Sequence, residues 1–391
     1  MKKIAILGST GSIGQQTIDI IRKDKKNFKI LLLTANKNHK LLIKQVKEFD
    51  VKNIIVTNEK SYLILKKKLK NVNIFNKLEI IDKIISTKID YTMSAISGFD
   101  GLKPTIKIIK KTKTIAIANK ESIICGWNLI KNEIIKHKTK FIPVDSEHFS
   151  IWSVIRNVHP KNIDEVIITA SGGPFYSYKN KNLKKTPKQA TNHPNWKMGK
   201  KISTDSATLM NKVFEVIEAK KIFEISLKKF KVIIHPKSYI HSIIKFKSGL
   251  IKLVAHETNM KIPIFNSIYD GSFKVFKSKK INLKLLNNLN FNKVDSKKYP
   301  LINILKKVPE ENTLFETLLV SVNDELVEMF LKNKITFDEI SIKLKQIINW
   351  KVFSKYRVKN VKNLAQIEKL NEFVRLKTRS LSVISQPNEK Y

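Results

Sequence analysis

The chain of 391 residues contains one cysteine, Cys125, so no disulfide can form within it. A reducing, cytoplasmic setting is the expectation. Glycine and proline number 11 each, too few for a low-complexity or disordered chain. No apolar run approaches the ~18 residues of a membrane span. Behind the two N-terminal lysines only Ile4 to Leu7 are continuously apolar, too short a run for a secretory signal. Acidic residues are scarce, 33 against 75 lysines and arginines, for a formal net charge of +42. The lysines are spread from end to end and form no stripe or tail. Isoleucine and asparagine are abundant too, and all three have A/T-rich codons. Mutational bias, not a nucleic-acid or membrane partner, is therefore the expected source of the charge. What remains is a 42% hydrophobic chain, enough for a packed core and for two or three domains.

Against that scarcity, three glycines fall within seven residues: Leu7-Gly8-Ser9-Thr10-Gly11-Ser12-Ile13-Gly14. An apolar strand leads into this turn and a helix leads out. Glycine allows a tight turn and close approach of a ligand, and a helix opening there points N–H groups and its positive dipole end at a phosphate. The G-x-x-G-x-x-G spacing in that context predicts a dinucleotide-binding turn. NAD sites usually carry an acid about twenty residues on, for the ribose 2′-hydroxyl. The end of the second strand here reads Thr34-Ala35-Asn36-Lys37-Asn38, with no acid and a cation at Lys37. That chemistry suits a 2′-phosphate, and NADP(H) is the predicted cofactor.

Short apolar segments at 4–7, 29–35, 53–57, 89–96, 113–118 and 140–144 alternate with lysine-rich amphipathic stretches. This predicts an α/β region over 1–147, a parallel Rossmann-like sheet covered by helices. Ligands collect outside the carboxyl ends of such strands, where the polar clusters Ser94–Gly98, Asn119–Ser122 and Asp145–His148 lie. Residues 148–275 hold five more glycines and read as a second, α+β domain; 276–298, rich in Lys and Asn, as a linker. In 299–391 the recurrence of Leu314, Leu318, Val322 and Leu326, and similar patterns over 338–350 and 363–381, predict a C-terminal helical bundle.

Asp145 and Glu147 follow the apolar run Phe141–Val144. On extended backbone i and i+2 share a face, and two adjacent carboxylates invite a cation; a solvated acidic loop is the alternative. Asn211 and Glu215 share a face if their segment is helical, and Lys212 beside them could reach a phosphate. An all-carboxylate set suits Mg²⁺ or Mn²⁺, not structural zinc. Ser171-Gly172-Gly173 after the strand 166–169 reads as a phosphate cradle or an ordinary turn. His193-Pro194-Asn195-Trp196 reads as a lid over substrate or as a loop whose tryptophan packs in the core.

Taken together, these segments, with Ala118–Ser122, Pro143–His148, Asp205–Thr208 and His235-Pro236-Lys237-Ser238-Tyr239-Ile240-His241-Ser242, closely resemble the 1-deoxy-D-xylulose 5-phosphate reductoisomerase family, in the family's order and over essentially the whole chain. The resemblance implies a homodimer with an N-terminal NADPH-binding domain, a central catalytic domain with a flap near 171–201, and a C-terminal helical domain. It implies that Asp145, Glu147 and Glu215 bind Mg²⁺ or Mn²⁺ (with Co²⁺ a further candidate). Ser171, Ser206, Asn211 and Lys212 would hold the substrate phosphate, with His193 closing over it. Lys120, Ser146 and Glu147 would contact the reacting carbons and oxygens, with Lys120, Glu147 and Glu215 as catalytic residues. Thr10, Gly11, Ser12, Ile13, Asn36, Lys37, Asn38, Asn119, Glu121 and Gly199 would line the NADPH site. The implied reaction rearranges the carbon skeleton of 1-deoxy-D-xylulose 5-phosphate and reduces the branched aldehyde to 2-C-methyl-D-erythritol 4-phosphate. A simpler metal-assisted NADP-dependent hydroxy-acid dehydrogenase would explain the glycine turn and the acids, but not the phosphate-suited set. The chain departs from the family pattern where Asn36 replaces a glycine (asparagine tolerates positive φ, so the turn is expected to survive), at Val213, and at His256–Met260, which replaces G-x-P-D-M.

Overall fold

The computed structural model describes residues 1–178 and 184–384. The expected flap over 171–201 thus includes five residues, 179–183, outside the described set. The first part of the chain folds as β1 (Lys2–Leu7), α1 (Ser12–Lys23), β2 (Phe28–Ala35), α2 (His39–Phe49), β3 (Asn53–Val56), α3 (Glu59–Lys68), β4 (Asn73–Phe75), α4 (Ile81–Ile84), β5 (Ile89–Ser94), α5 (Leu102–Ile109), β6 (Thr112–Ile117), α6 (Lys120–Lys136), β7 (Lys140–Pro143) and α7 (Ser146–Ile155). Then come β8 (Ile163–Ala170), α8 (Pro187–Ala190), α9 (Lys200–Ala207), α10 (Met210–Phe223), β9 (Phe230–Ile234), β10 (Ile240–Phe246), β11 (Ile251–Ala255), α11 (Lys261–Ile268), α12 (Leu283–Leu286) and β12 (Asn292–Lys293). Three longer helices close the described chain: α13 (Phe315–Leu331), α14 (Phe337–Ile347) and α15 (Leu364–Ile384). Among the described residues no helix is long and apolar enough to cross a membrane.

The chain forms two compact units. The first comprises Met1–Ile123, Trp127–Trp152 and Asn259–Lys280. Its seven strands pair in parallel in the order β4-β3-β2-β1-β5-β6-β7. Ile4, Ala5, Ile6 and Leu7 are all fully buried, as expected of a central parallel strand covered on both faces. The order turns back at β1, so the crevice between β1 and β5 is the topological switch point where a doubly wound sheet takes its ligand. Asparagine, plentiful in this sequence, caps the helices that follow the strands: Asn38 accepts from the Leu41 N–H and Asn58 from the Ser61 N–H, each at 3.1 Å. Residues 259–280, of which the sequence reading puts 259–275 in the second domain and 276–280 in the linker, pack in this unit. Ile264 and Ile268 of α11 join its core. The Tyr91 hydroxyl meets Ser267 Oγ at 2.7 Å, and Lys261 Nζ lies 2.7 Å from Asp19 Oδ2.

The second unit comprises Ile124–Gly126, Ser153–Thr258 and Ile281–Tyr391. Its five-stranded sheet has the order β11-β10-β8-β9-β12, with β8 and β9 parallel and the other pairs antiparallel. Within the lysine- and asparagine-rich stretch expected as a linker, Asn292–Lys293 adds an edge strand to β9. Leu314, just before α13, and Leu318, Val322 and Leu326 on it, the four-residue recurrence seen in the sequence, are at most 1% exposed. That helix packs against α14 and α15.

Candidate nucleotide and substrate sites

The three glycines of the first turn do different work. Gly8 has φ +82°, and a Cβ there would lie 2.6 Å from the carbonyl oxygen of Ala95 on the adjoining β5 loop. At Gly14 a Cβ would lie 2.2 Å from the Gly8 oxygen. These two are needed to close the turn. Gly11 has an ordinary backbone, φ −77° and ψ 174°, and the nearest atom to its missing Cβ is 3.4 Å away. Nothing in the fold forbids a side chain there; the space matters to whatever approaches from outside. Gly11 caps α1 without a side chain, and the first turn of α1 carries no acid, which suits an incoming anion. The turn is fixed from β2 and α2: Gly8 N–H donates to Thr34 Oγ1 (2.8 Å), Ser9 Oγ to Gln45 Oε1 (2.8 Å) and Gln45 Nε2 back to the Ser9 carbonyl (3.0 Å). Neither Thr34 nor Gln45 carries a motif signal. Thr10, Gly11, Ser12 and Ile13 remain at least partly accessible, and Asn36, Lys37 and Asn38 are exposed. Asn36 does not use the left-handed conformation expected for a glycine replacement, so asparagine survives there without strain.

At the ends of β6 and β7 the first unit gathers a second set. Asn119 caps α6 through the Ser122 N–H, while its Nδ2 donates to the carbonyls of Ile96 and, at 2.7 Å, Gly98. It ties the loops after β5 and β6 together. Lys120 is 6% exposed and ion-paired with Asp145. Glu121 is buried in the first turn of α6. The extended backbone expected through Asp145 and Glu147 is not what forms. β7 ends at Pro143, Asp145 precedes α7, and Glu147 lies in its first turn, where the helix dipole favours acids. Ser146 Oγ donates to Glu147 Oε2 at 2.6 Å, and both residues are buried.

The second unit holds the remaining residues. Gly173 (φ +71°) has no room for a side chain: a Cβ would lie 2.6 Å from the Ser206 oxygen and 2.9 Å from Ala207 Cα. The Ser171–Gly173 turn is therefore docked on the last turn of α9, which carries Ser206. His193 Nδ1 accepts the N–H groups of Asn195 (3.2 Å) and Trp196 (3.1 Å). Its proton must sit on Nε2, which donates to Ser171 Oγ at 2.9 Å. Burial, and then the Lys212 charge, push the His193 pKa down to about 4, so the ring is a neutral donor at pH 7. Ser171 Oγ also accepts from the Gly173 N–H at 3.0 Å; with two bonds accepted, its own hydrogen is left to donate. Asn211 and Lys212 both reach Glu215, the lysine at 2.6 Å, as the i, i+4 spacing on α10 predicts for the asparagine. Glu215 is 1% exposed. Among the described residues the amide oxygen of Asn211 is buried and finds no hydrogen-bond partner, a position that another polar group can fill.

Trp196 is half-buried and meets His241 edge-on at 6.0 Å between ring centroids, so it is no core residue. His241 stacks on His256 at 3.7 Å and 15°; the replaced segment at 256–260 thus supplies an aromatic partner. Val213 lies fully buried within α10 and needs no glycine. A Cβ on Gly199, which caps α9, would meet nothing within 4 Å. Asn195 is a contributor that spacing does not reveal: its Nδ2 bonds the Pro236 carbonyl (2.6 Å) and Ser238 Oγ (2.9 Å), pinning the 193–196 loop to the turn after β9.

Comparison with known proteins gives a consistent result. Residues 4–126 match the family described as 1-deoxy-D-xylulose 5-phosphate reductoisomerase. Residues 141–223 match the C-terminal domain of that name, and 256–377 the DXP reductoisomerase C-terminal domain. The reductoisomerase of Pelagibacter ubique (strain HTCC1062) is 58% identical, covering 98% of this chain and 100% of that protein. That of Clostridium tetani (strain Massachusetts / E88) is 36% identical over 96% and 100%. The Zymomonas mobilis reductoisomerase in complex with NADPH superposes with a TM-score of 0.87 at 30% identity, covering 97% of this chain and 99% of that one. A reductoisomerase in complex with NADPH, fosmidomycin and magnesium superposes at 0.89 with 28% identity, covering 98% of both.

Proposed function

Since the chain belongs to the 1-deoxy-D-xylulose 5-phosphate reductoisomerase family, we infer that it converts 1-deoxy-D-xylulose 5-phosphate to 2-C-methyl-D-erythritol 4-phosphate with NADPH and a divalent cation. The observation that carries this reading beyond family membership is the neutral donor set of the second unit: Ser171 with a hydrogen left to give, and His193 protonated on Nε2. A plain hydroxy-acid dehydrogenase has no use for it; a phosphorylated substrate does. Ser206, Asn211 and Lys212 complete the proposed phosphate contacts, and the phosphate supplies remote binding energy that positions the reacting carbons.

NADPH fits the first unit: Gly11 leaves the start of α1 open, and Lys37 is exposed at the end of β2 where a 2′-phosphate would lie. Thr10 to Ile13 would cradle the pyrophosphate. Asn36, Lys37, Asn38, Glu121 and Gly199 are proposed as further cofactor contacts. Asn119 serves that site by holding its loops, and Asn38 by capping α2.

The cation fits the donors: Asp145, Glu147 and Glu215 offer hard carboxylate oxygens, the class that Mg²⁺ and Mn²⁺ take. Held by these carboxylates, a divalent ion would supply Lewis-acid polarisation of substrate oxygens. Lys120, beside Asp145, would donate to a substrate oxygen; Ser146 would hold Glu147 in orientation. We further propose that residues 1–147 carry the NADPH site and 148–275 most of the substrate site, that the enzyme is a homodimer, and that it works in the cytoplasm. NADPH consumption with the deoxyxylulose phosphate, with and without Mg²⁺ or Mn²⁺, together with product identification, tests the reading. A product of unrearranged carbon skeleton would replace it with the dehydrogenase.

A further inference from the structure

Beneath the Ser171–Gly173 turn lies a residue from beyond the second unit's edge strand. Tyr299 is 3% exposed, and its hydroxyl donates to the carbonyl of Gly172 at 2.8 Å. Its ring is buried in a small apolar cluster with Ala170, Leu209 and Ile234. Ala170 ends β8 and leads directly into Ser171. Leu209 is the joint between α9 and α10, and it sits in the left-handed region at φ 61° and ψ 9°. A branched side chain keeps that conformation only where its surroundings hold it; Leu209 is 1% exposed against Ala170, Ile234 and Tyr299. The joint sets the direction in which α10 presents Asn211 and Lys212, relative to Ser206 at the end of α9. One aromatic ring thus underlies both halves of the donor set: the turn through Gly172, and the two helices through Leu209.

We propose that Tyr299 is a positioning residue for substrate-phosphate binding, holding the Ser171 turn by its hydroxyl and the α9–α10 joint by its ring. The inference rests on the reading that Ser171, Ser206, Asn211 and Lys212 take the phosphate. Tyr299 does not touch substrate; it acts through the turn. Its hydroxyl is itself deeply buried, so its hydrogen bond is not exchanged for one to water.

Tyr299→Phe keeps the ring and removes the hydroxyl. The expected result is a KM for the deoxyxylulose phosphate raised about fivefold, the equivalent of one net hydrogen bond, with kcat and the KM for NADPH within about twofold of the parent. Combined with Ser171→Ala, the two effects fall short of multiplying, because one residue works through the other. Leu209→Gly, which relieves the backbone but removes the wedge, raises the same KM. Parental KM in Tyr299→Phe alongside an impaired Ser171→Ala overturns the inference, as does full multiplication of the two effects. Parental KM in Ser171→Ala overturns the phosphate reading itself and this inference with it.

Discussion

Replacing each glycine of the first turn by alanine separates what the fold needs from what the cofactor needs. In Gly14→Ala the new Cβ would lie 2.2 Å from the Gly8 oxygen, 2.6 Å from Ser9 Cα and 2.7 Å from the Ser9 carbonyl carbon. All three are backbone, so relief requires α1 to move off the turn. The cost lies at or above the upper end of the ~1–3 kcal/mol typical of overpacking. Gly8→Ala adds to a 2.6 Å clash with Ala95 a left-handed φ of +82°, itself about 1–2 kcal/mol for a residue with a Cβ. Gly11→Ala meets nothing nearer than 3.4 Å and keeps an ordinary φ and ψ. It gains about 0.4–1 kcal/mol by restricting the unfolded chain and loses a similar few tenths to 1 kcal/mol as a poorer helix cap, for a net change near zero. With the pyrophosphate at the start of α1, as proposed, its methyl would crowd the approach and should weaken NADPH about tenfold or more, or at least ~1.4 kcal/mol. Urea unfolding of the three ligand-free variants gives the first quantity; calorimetric titration with NADPH gives the second. Gly11→Ala binding NADPH like the parent, or unfolding as readily as Gly14→Ala, would refute the division of labour.

Glu215→Gln should fold, since an amide can still accept from Lys212 or Asn211, yet lose nearly all turnover and weaken Mn²⁺ binding by titration; near-normal activity removes Glu215 from the metal set. Lys37→Glu, at an exposed position, should leave stability within about 0.5 kcal/mol while raising the KM for NADPH at least about tenfold and that for NADH little, measured in parallel assays. His193 is held neutral, with a pKa of about 4 against an ordinary 6.5. The unfolded chain therefore takes up a proton that the folded one refuses as pH falls from 6.5 to 4. The parent should lose up to about 3 kcal/mol relative to His193→Gln across that window and nothing above it, read by urea unfolding at each pH. His256→Gly removes the ring stacked on His241, itself edge-on to Trp196, and should shift tryptophan fluorescence and raise the KM for the phosphorylated substrate about two- to fivefold.

The parallel sheet was legible because its strands are buried on both faces and so read as unbroken apolar runs, as Ile4–Leu7 does. β4 was not: three residues, Asn73–Phe75, at the sheet edge carry no such run. The C-terminal helices announced themselves by a four-residue apolar recurrence, although α13 is buried on nearly every side and not on one face alone. At the sites, the residues visible in the sequence are those whose types the chemistry restricts: glycines in a turn, paired acids, a serine before two glycines. The roles of the residues that hold them escaped, since Thr34, Gln45, Asn195 and Tyr299 act through bonds to residues between 26 and 127 positions away, and no local pattern encodes such contacts. The pair Asp145 and Glu147 was found for the wrong geometric reason. A helix starts between them where extended backbone was expected, because Ser146 and the residues after it form helix as soon as Pro143 is passed.

The excess of positive charge and the build of the proposed phosphate site bear on each other. With a net charge of +42, the long-range field attracts any anion and speeds its arrival, but distinguishes little among anions. Discrimination has to come from groups with direction, and the second unit supplies uncharged ones. Ser171 has both acceptor positions filled by the Gly173 N–H and His193, which leaves its hydrogen aimed away from them. His193 is kept from ionising by burial and by Lys212, so its single N–H goes to Ser171 Oγ and turns the serine's hydrogen outward, in place of adding one more diffuse cation. Lys212, the charged member, is bonded to Glu215 at 2.6 Å, which restrains its reach. A surface lysine could trade for another with little effect, whereas a serine hydroxyl oriented by a neutral imidazole and a backbone N–H cannot be replaced by charge. Raising ionic strength should therefore slow substrate capture through the screened field much more than it alters the preference for the sugar phosphate over inorganic sulfate. A preference that collapses with salt would place recognition in the lysines after all.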